Sequence, residues 1–454
     1  MPVAVSLMLP YLFGLGALLL LLCGSINEEM AVSDYSAMQG VATCLVFGIV
    51  INHFLGLLLS DIIVSLLVGC ALSIVAFLTL AAKKRKFLPS LFRATWLVPS
   101  LLLYVACLYI VTSDPVSGWD ARSIWFLHGK MIFYNRSVDA GGDWTLPSIA
   151  FSHTDYPQLI PILAAQIASV AGYWNEFLPK LSLVALLLPA MLLLLSILGR
   201  KWRHSIFLIV PILFTGPWLD NGYMDGYLAL YAGFGCFYLG RWLDNGRHLD
   251  LVTGLLATGV VLNLKNEGML YALLLSALLC LFLLHKRVRI ASLKAGRLRE
   301  GAIILSVVAS GWILWEWKKH LFQLKNDLQL GHNSLERVLH RLSEGSLTVI
   351  LKHLYVVENV NLSLGIFLLS LAYKAWNKER PGTGAPLCAL VAMMYFSGIV
   401  TIYLATPCDL VTFHLPTSDR TMLPVHVMLL AASFSLFEPA DAKAETGGFV
   451  TANQ

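Results

Sequence analysis

The sequence predicts an all-α polytopic membrane protein, a transmembrane helical bundle of about thirteen crossings, and three observations carry that prediction. Of 454 residues, 57% are hydrophobic and only 13% are charged, far less charge than a water-facing surface of that size needs. Uncharged runs such as residues 15–23, 184–198 and 271–284 recur from end to end. Short basic pieces separate them, in keeping with the positive-inside bias of membrane proteins.

A helix needs roughly 20 apolar residues to cross the hydrocarbon core. On that rule the spans centre near residues 13, 49, 71, 104, 190, 211, 231, 257, 276, 309, 364, 395 and 429. The first run, residues 3–22, lacks a basic leading segment and a small-residue cleavage site, and reads as a retained span. The run 158–172 is left out because it is short, carries Pro161 and follows Pro157. If it crossed, Arg200, Lys201 and Arg203 would land on the face opposite Lys83, Lys84, Arg85 and Lys86. Laid flat in the interface, it puts both clusters on one face, with the cluster at 286–299 and Lys374, Lys378 and Arg380.

That face is expected to be cytoplasmic, leaving residues 114–179, 218–225, 264–268, 318–352 and 406–420 on the other. Two features fit poorly: the 318–352 loop is itself basic, and the Glu28, Glu29 loop falls inside. Residues 1–437 then form a single membrane domain: N-terminal spans to 112, an extracytoplasmic loop with juxtamembrane helices at 113–179, and the remaining spans at 180–437. Residues 438–454 are a polar cytoplasmic tail, too poor in apolar residues to pack.

The net charge of +5 does not indicate nucleic acid, since no long basic face tracks phosphates. Seven of the eight cysteines lie in apolar runs, so neither a disulfide framework nor a zinc spacing follows.

The chemistry concentrates in residues 113–157, where Asp114, Asp120, Asp139, Asp143 and Asp155 alternate with His128, His153, Arg122, Lys130 and several aromatic rings. Asp120, between Trp119 and Arg122, sits just past a span end, where a half-shielded carboxylate can serve as a general base. It equally suits the N-cap of the amphipathic segment that follows. His153 and Asp155 stand two apart before Tyr156; with no third ligand assignable, a polar contact to substrate or a turn is preferred over a metal site. Asp225 lies at a span end, and Lys265 and Glu267 sit between two apolar runs with almost no room for a loop. Charges placed there are costly and point to pairing or to a ligand path; the plain alternative is a local Lys265 to Glu267 pair. Arg420 opens the last span, where its guanidinium suits a lipid phosphate or simply reaches a headgroup.

The ordered segments GWDARSIWFLHGKMIF, HTDYPQLIP, YMDGYLAL, LKNEG and HLPTSDR resemble bacterial membrane glycosyltransferases of the GT-C superfamily. The likeness is to the protein O-mannosyltransferase and aminoarabinose transferase group, including the lipopolysaccharide galacturonosyltransferase-like proteins, and runs from about residue 110 to 437. The resemblance implies a GT-C fold in an inner membrane, with the active site facing the periplasm or exterior. It also implies a polyprenyl-phosphate sugar donor, a lipid, glycan or protein acceptor, and an aspartate base matched by Asp120. Two departures stand out: the catalytic loop of such proteins commonly follows the first span, whereas three apolar runs precede the span leading into this one, and no soluble C-terminal domain is expected from the residues after the last span.

The expected reaction is therefore an inverting transfer with Asp120 as base and no metal or other cofactor required. Lys265 and Arg420, then Arg122, would face the leaving phosphate. Trp119, His153, Asp155, Tyr156, Asp225 and Glu267 complete the expected substrate-binding set. The alternative is a transporter or flippase of a lipid-linked glycan. Transporters place ionisable groups near the midplane on broken helices, whereas here the charges lie at span ends, which favours an enzyme.

Overall fold

The structure, a computed structural model, describes residues 2–22, 30, 33–83, 91–198, 206–285, 295–324, 331, 333–378 and 381–437. In hydrocarbon every backbone N–H and C=O must be paired within its own segment, so apolar runs of this composition fold as helices. Helices α1 (Pro2–Leu22), α2 (Asp34–Leu59), α3 (Ile62–Lys83) and α4 (Ala94–Thr112) precede the loop. Within it lie α5 (Phe126–Asn135) and α6 (Leu159–Ala171). Then come α7 (Leu181–Leu198), α8 (Ile206–Thr215), α9 (Asp225–Asn245), α10 (His248–Leu262), α11 (Glu267–His285) and α12 (Ala295–Leu321). The chain continues with α13 (Ser334–Ser343), α14 (Ser346–Lys352), α15 (Val360–Trp376), α16 (Gly384–Ala405) and α17 (Leu423–Phe437). Among the described residues the only strand-like pairing is an isolated bridge between Asp61 and Ser137.

Each expected span centre falls on a helix, but the count of thirteen crossings does not hold. Among the described residues seven helices are long and apolar enough to cross, or up to eight if the pair Ser346–Val357 and Val360–Trp376, bent by 67°, makes one span. The reason is length and charge. Helix α8 has 10 residues and α10 has 15, short of the roughly 20 a crossing takes. Helices α9 and α12 carry charged residues at both ends, and α9 is further diluted by Gly and Tyr. The clusters at 84–86, 200–203 and 286–294, Arg380, the Glu28, Glu29 loop and the tail 438–454 lie outside the described residues.

Helix α2 is the centre of the bundle, buried along nearly its whole length. Against it α1 packs backbone to backbone: a Cβ on Gly16 would collide with the carbonyl of Cys44, and one on Gly48 with that of Leu12. Small residues at such a crossing let dispersion forces act over the full helix length. Helices α3 and α4 lie outside, presenting Leu67, Leu78, Leu101 and Leu102 outward.

Pairing contacts sort the helix termini into two ends. At one end Asp34 meets Arg93 at 3.6 Å and Thr95 at 2.7 Å, Arg247 reaches Ser36 at 3.4 Å, and Asp244 caps the start of α16 through the amides of Thr383 and Gly384. At the other end gather the loop 113–158, the α2–α3 turn, the α8–α9 and α10–α11 connections, the end of α12 and residues 406–422. There Lys318 of α12 bonds Asp139 at 2.5 Å and Ser60 at 2.8 Å, clamping the loop to the bundle.

Helix α6 has 13 residues, too few to cross. It lies along α5, with Pro161 and Ala164 beside Gly129, and its exit returns to the loop where the Val116 amide donates to the Glu176 carbonyl at 2.9 Å. Its cover is protein rather than headgroups. Residues 159–168 are all buried, and Gln166 exchanges amide hydrogen bonds with Asn52 of α2 at 2.6 and 3.0 Å.

Candidate active site

Helix α4 ends at Thr112, and the chain turns through Gly118, where any side chain would strike the ring of Tyr223. Asp120 follows with helical backbone angles, φ −61° and ψ −33°, and its carboxylate caps nothing. The N-cap alternative is thereby set aside. Residues 121–125 make one π-helical turn into α5, a widened turn that recurs at functional sites.

The carboxylate instead pairs with the guanidinium of Arg420, which stands on the helical turn Ser418–Thr421 just before α17. The guanidinium also lies 5.2 Å over the ring of Tyr223, a cation–π contact. Tyr223 is held there by Gly222, at φ 91°, where a Cβ would come within 2.6 Å of Ala121.

Beside this pair is a second one. Lys265 Nζ sits 2.9 Å from Asp225 and 3.4 Å from Glu267, so the local Lys265 to Glu267 pair is only half of its environment. Burial pulls the ammonium down, but Asp225 and Glu267 outweigh it and hold Lys265 charged. Asp225 also acts on Arg420, which joins the two pairs into one cluster.

Asp155 is 2% exposed. One carboxylate oxygen accepts from Asn266 at 2.6 Å and the backbone carbonyl accepts from the Trp315 indole at 3.0 Å; the other carboxylate oxygen has no hydrogen-bond partner. Burial pushes its acid above the ordinary carboxylate range, against the hydrogen bond from Asn266 and the charge of Lys319. Tyr156 stacks on His153 at 5.2 Å and meets Trp125 at 5.4 Å, and His153 itself is in the left-handed region at φ 50°.

Behind Lys265 opens a cavity of 690 Å³ between the loop at 155–157, the α10–α11 turn and the end of α12. Its walls include Asp155, Lys265, Asn266, Trp312, Glu316 and Lys319.

Asp120, Arg420, Asp225, Lys265, Glu267, Asp155, Tyr156 and His153 are thus brought into one region. Trp119 and Arg122 flank Asp120 but share none of these contacts: Trp119 is 74% exposed, and Arg122 is exposed and joins no ion pair among the described residues. Sequence reasoning missed Tyr223, Trp315 and Tyr395, the last buried within electrostatic reach of Glu267, Lys265 and Asp225. The available signal was the pair Tyr395 and Tyr403, eight apart and so on one face of α16. Among the described residues no group of three or more His, Cys, Asp or Glu side chains is placed to hold a metal ion.

Compared with protein-family models, curated proteins and solved structures, the chain matches none. The site is therefore read from its own geometry.

Proposed function

We propose that the protein is an inverting glycosyltransferase of GT-C type, moving a sugar from a polyprenyl-phosphate donor to a hydroxyl or amine of a lipid, glycan or protein acceptor. The observation that carries this reading is the Asp120–Arg420 pair, backed by the Lys265 cluster, at one end of an apolar bundle. An acceptor proton needs a carboxylate, and a lipid phosphate needs cations at the depth of its headgroup.

In the proposed step Asp120 takes the proton of the nucleophile, the nucleophile bonds to the anomeric carbon, and the bond from that carbon to the phosphate oxygen breaks. The electron pair leaves on the polyprenyl phosphate, which gains a second negative charge. As Asp120 becomes neutral, Arg420 loses one of its two carboxylate neighbours and keeps Asp225, so more of its charge turns to the departing phosphate at the moment that charge develops, when stabilisation is most effective. Lys265, kept protonated, stands behind it.

The site faces the periplasm or exterior of an inner membrane in this reading. What supports that side is the clustering of basic residues at 83–86, 200–203 and 286–299 in the sequence. Among the described residues Arg93, Arg241, Arg247, Lys374 and Lys378 share the opposite end, while Lys130, Lys180, Lys318, Lys319, Arg337 and Arg341 stand at the end that holds the site.

The test is transfer of radiolabelled sugar from polyprenyl-phosphate donors by the purified chain in detergent, wild type beside Asp120→Asn. The expected result is turnover by wild type and a loss of at least about a hundredfold in an equally folded variant. Equal rates would remove Asp120 from the mechanism. A wild type that transfers nothing but, reconstituted in vesicles, moves lipid-linked sugar between leaflets would make the protein a carrier.

A further inference from the structure

Within that reading, we propose that the 690 Å³ cavity behind Lys265 is the pocket for an uncharged, hydroxylated sugar ring, and that the free carboxylate oxygen of Asp155 is its principal hydrogen-bond acceptor. The volume falls among those of ligand pockets. The argument begins with an unmet requirement. Asp155 is 2% exposed and lines the cavity, yet one of its oxygens has no partner. A buried acceptor left unpaired is costly, and the cavity is where a donor would come from.

The rest of the lining selects the kind of donor. Lys319 is matched by Glu316 at 2.6 Å and Lys265 by Asp225 and Glu267, so the walls offer a phosphate no unmatched cation. A metal ion or an amine would meet two ammonium groups on the same walls. A ring of hydroxyls suits the arrangement: it donates to Asp155 and Glu316 and accepts from Lys319 and Asn266. The indole of Trp312 supplies an apolar wall for its C–H face. The geometry is held rigidly, since Trp315 fixes the backbone of Asp155 and Asn266 fixes its other oxygen.

The ring belongs either to the donor or to a glycan acceptor, and one experiment separates them. The full-length chain in lipid nanodiscs is titrated with bare polyprenyl phosphate and with the same lipid carrying glucose, galactose, mannose or a pentose. If the pocket takes the donor sugar, wild type binds at least one sugar-bearing lipid about tenfold more tightly than the bare lipid. That ratio falls to about one in Asp155→Asn and shrinks in Lys319→Ala, a second variant at the cavity edge. If the pocket takes the acceptor, the donor ratio is absent. Methyl glycosides of those sugars then bind wild type saturated with bare lipid, and bind Asp155→Asn at least about tenfold more weakly.

No sugar dependence in either arm, or a dependence that both variants retain, overturns the pocket. Failure of bare polyprenyl phosphate to bind, with Arg420→Ala making no difference, would instead count against the transferase reading, and the methyl glycosides would still test the pocket directly.

Discussion

Asp155 and His128 show opposite consequences of burial. His128 is enclosed between Ser152 at 3.1 Å and Gln158 at 3.3 Å, and burial lowers its pKa from 6.5 to about 3. The folded state therefore holds it neutral, while the unfolded chain takes a proton below pH 6.5. Stability from this group is complete above that value and is lost as pH falls towards about 3. Melting in detergent across that range should show the loss in wild type and less of it in His128→Asn. For Asp155, with its pKa raised, the sign reverses: stability is greatest below the ordinary carboxylate value and falls as pH rises through the shifted one. Asp155→Asn should flatten that fall. Asp120, Lys265 and Arg420 were legible in the sequence because a charge at a span end is expensive and stands out, and Asp155 because it stands two residues from His153 in the aromatic-rich loop. Tyr223, Trp315 and Tyr395 were not, since an aromatic ring in an apolar run reads equally as core or interface anchor. Trp119 and Arg122 were drawn in by adjacency to Asp120, but residues one or two apart on a helix do not share a face.

Two element-level devices keep the site in shape. Lys318 reaches from α12 to Asp139 and Ser60, tying the loop to the α2–α3 turn. Asp139 is a third exposed, so Lys318→Ala is expected to cost about 2 kcal/mol, less than the loss of a fully buried pair. Limited proteolysis between residues 136 and 157 would report the loosening. On α13, Arg337 bonds the carbonyl of Ala405 at 2.8 Å, and Arg341 those of Tyr403 at 2.5 Å and Cys408 at 2.7 Å. The carbonyls of Tyr403 and Ala405 are orphans of the last turn of α16, where a cation is favourable, and that of Cys408 lies in the loop just beyond it. The basic 318–352 loop that fits the sidedness rule poorly is thus partly explained, because these arginines serve a helix terminus. Arg341→Ala should lower stability by about 1–2 kcal/mol in a thermal melt. The length of α6 was readable as too short to cross, but its burial was not, because an apolar side chain looks the same whether lipid or protein covers it.

On the scale of the whole molecule, the chemistry stands at one end and a separate lock at the other. Asp250, fully buried, is held by Arg241 at 3.1 Å, Gln39 at 2.9 Å and Asn245 at 3.0 Å. Removing it takes away the buried carboxylate that Arg241, Gln39 and Asn245 share, so Asp250→Ala is expected to cost about 3 kcal/mol of stability. The KM and kcat of the protein that remains folded should be unchanged, and kinetics beside a melting curve would check that separation. Helical class, and a helix under each expected centre, followed from composition and run length. The number of crossings did not, because short or charged helices can be carried by neighbours inside a bundle. The Asp120–Arg420 pair also has a consequence in time: its partners are 300 residues apart in the chain. A ribosome delivering this protein to the membrane places the aspartate 300 residues ahead of the arginine. Until the segment leading into α17 is inserted, the nascent chain has a base without its Arg420 counter-charge, so a product truncated before residue 418 would be bundled yet inert. A separately expressed α17 segment that begins at that residue would be the piece able to restore it.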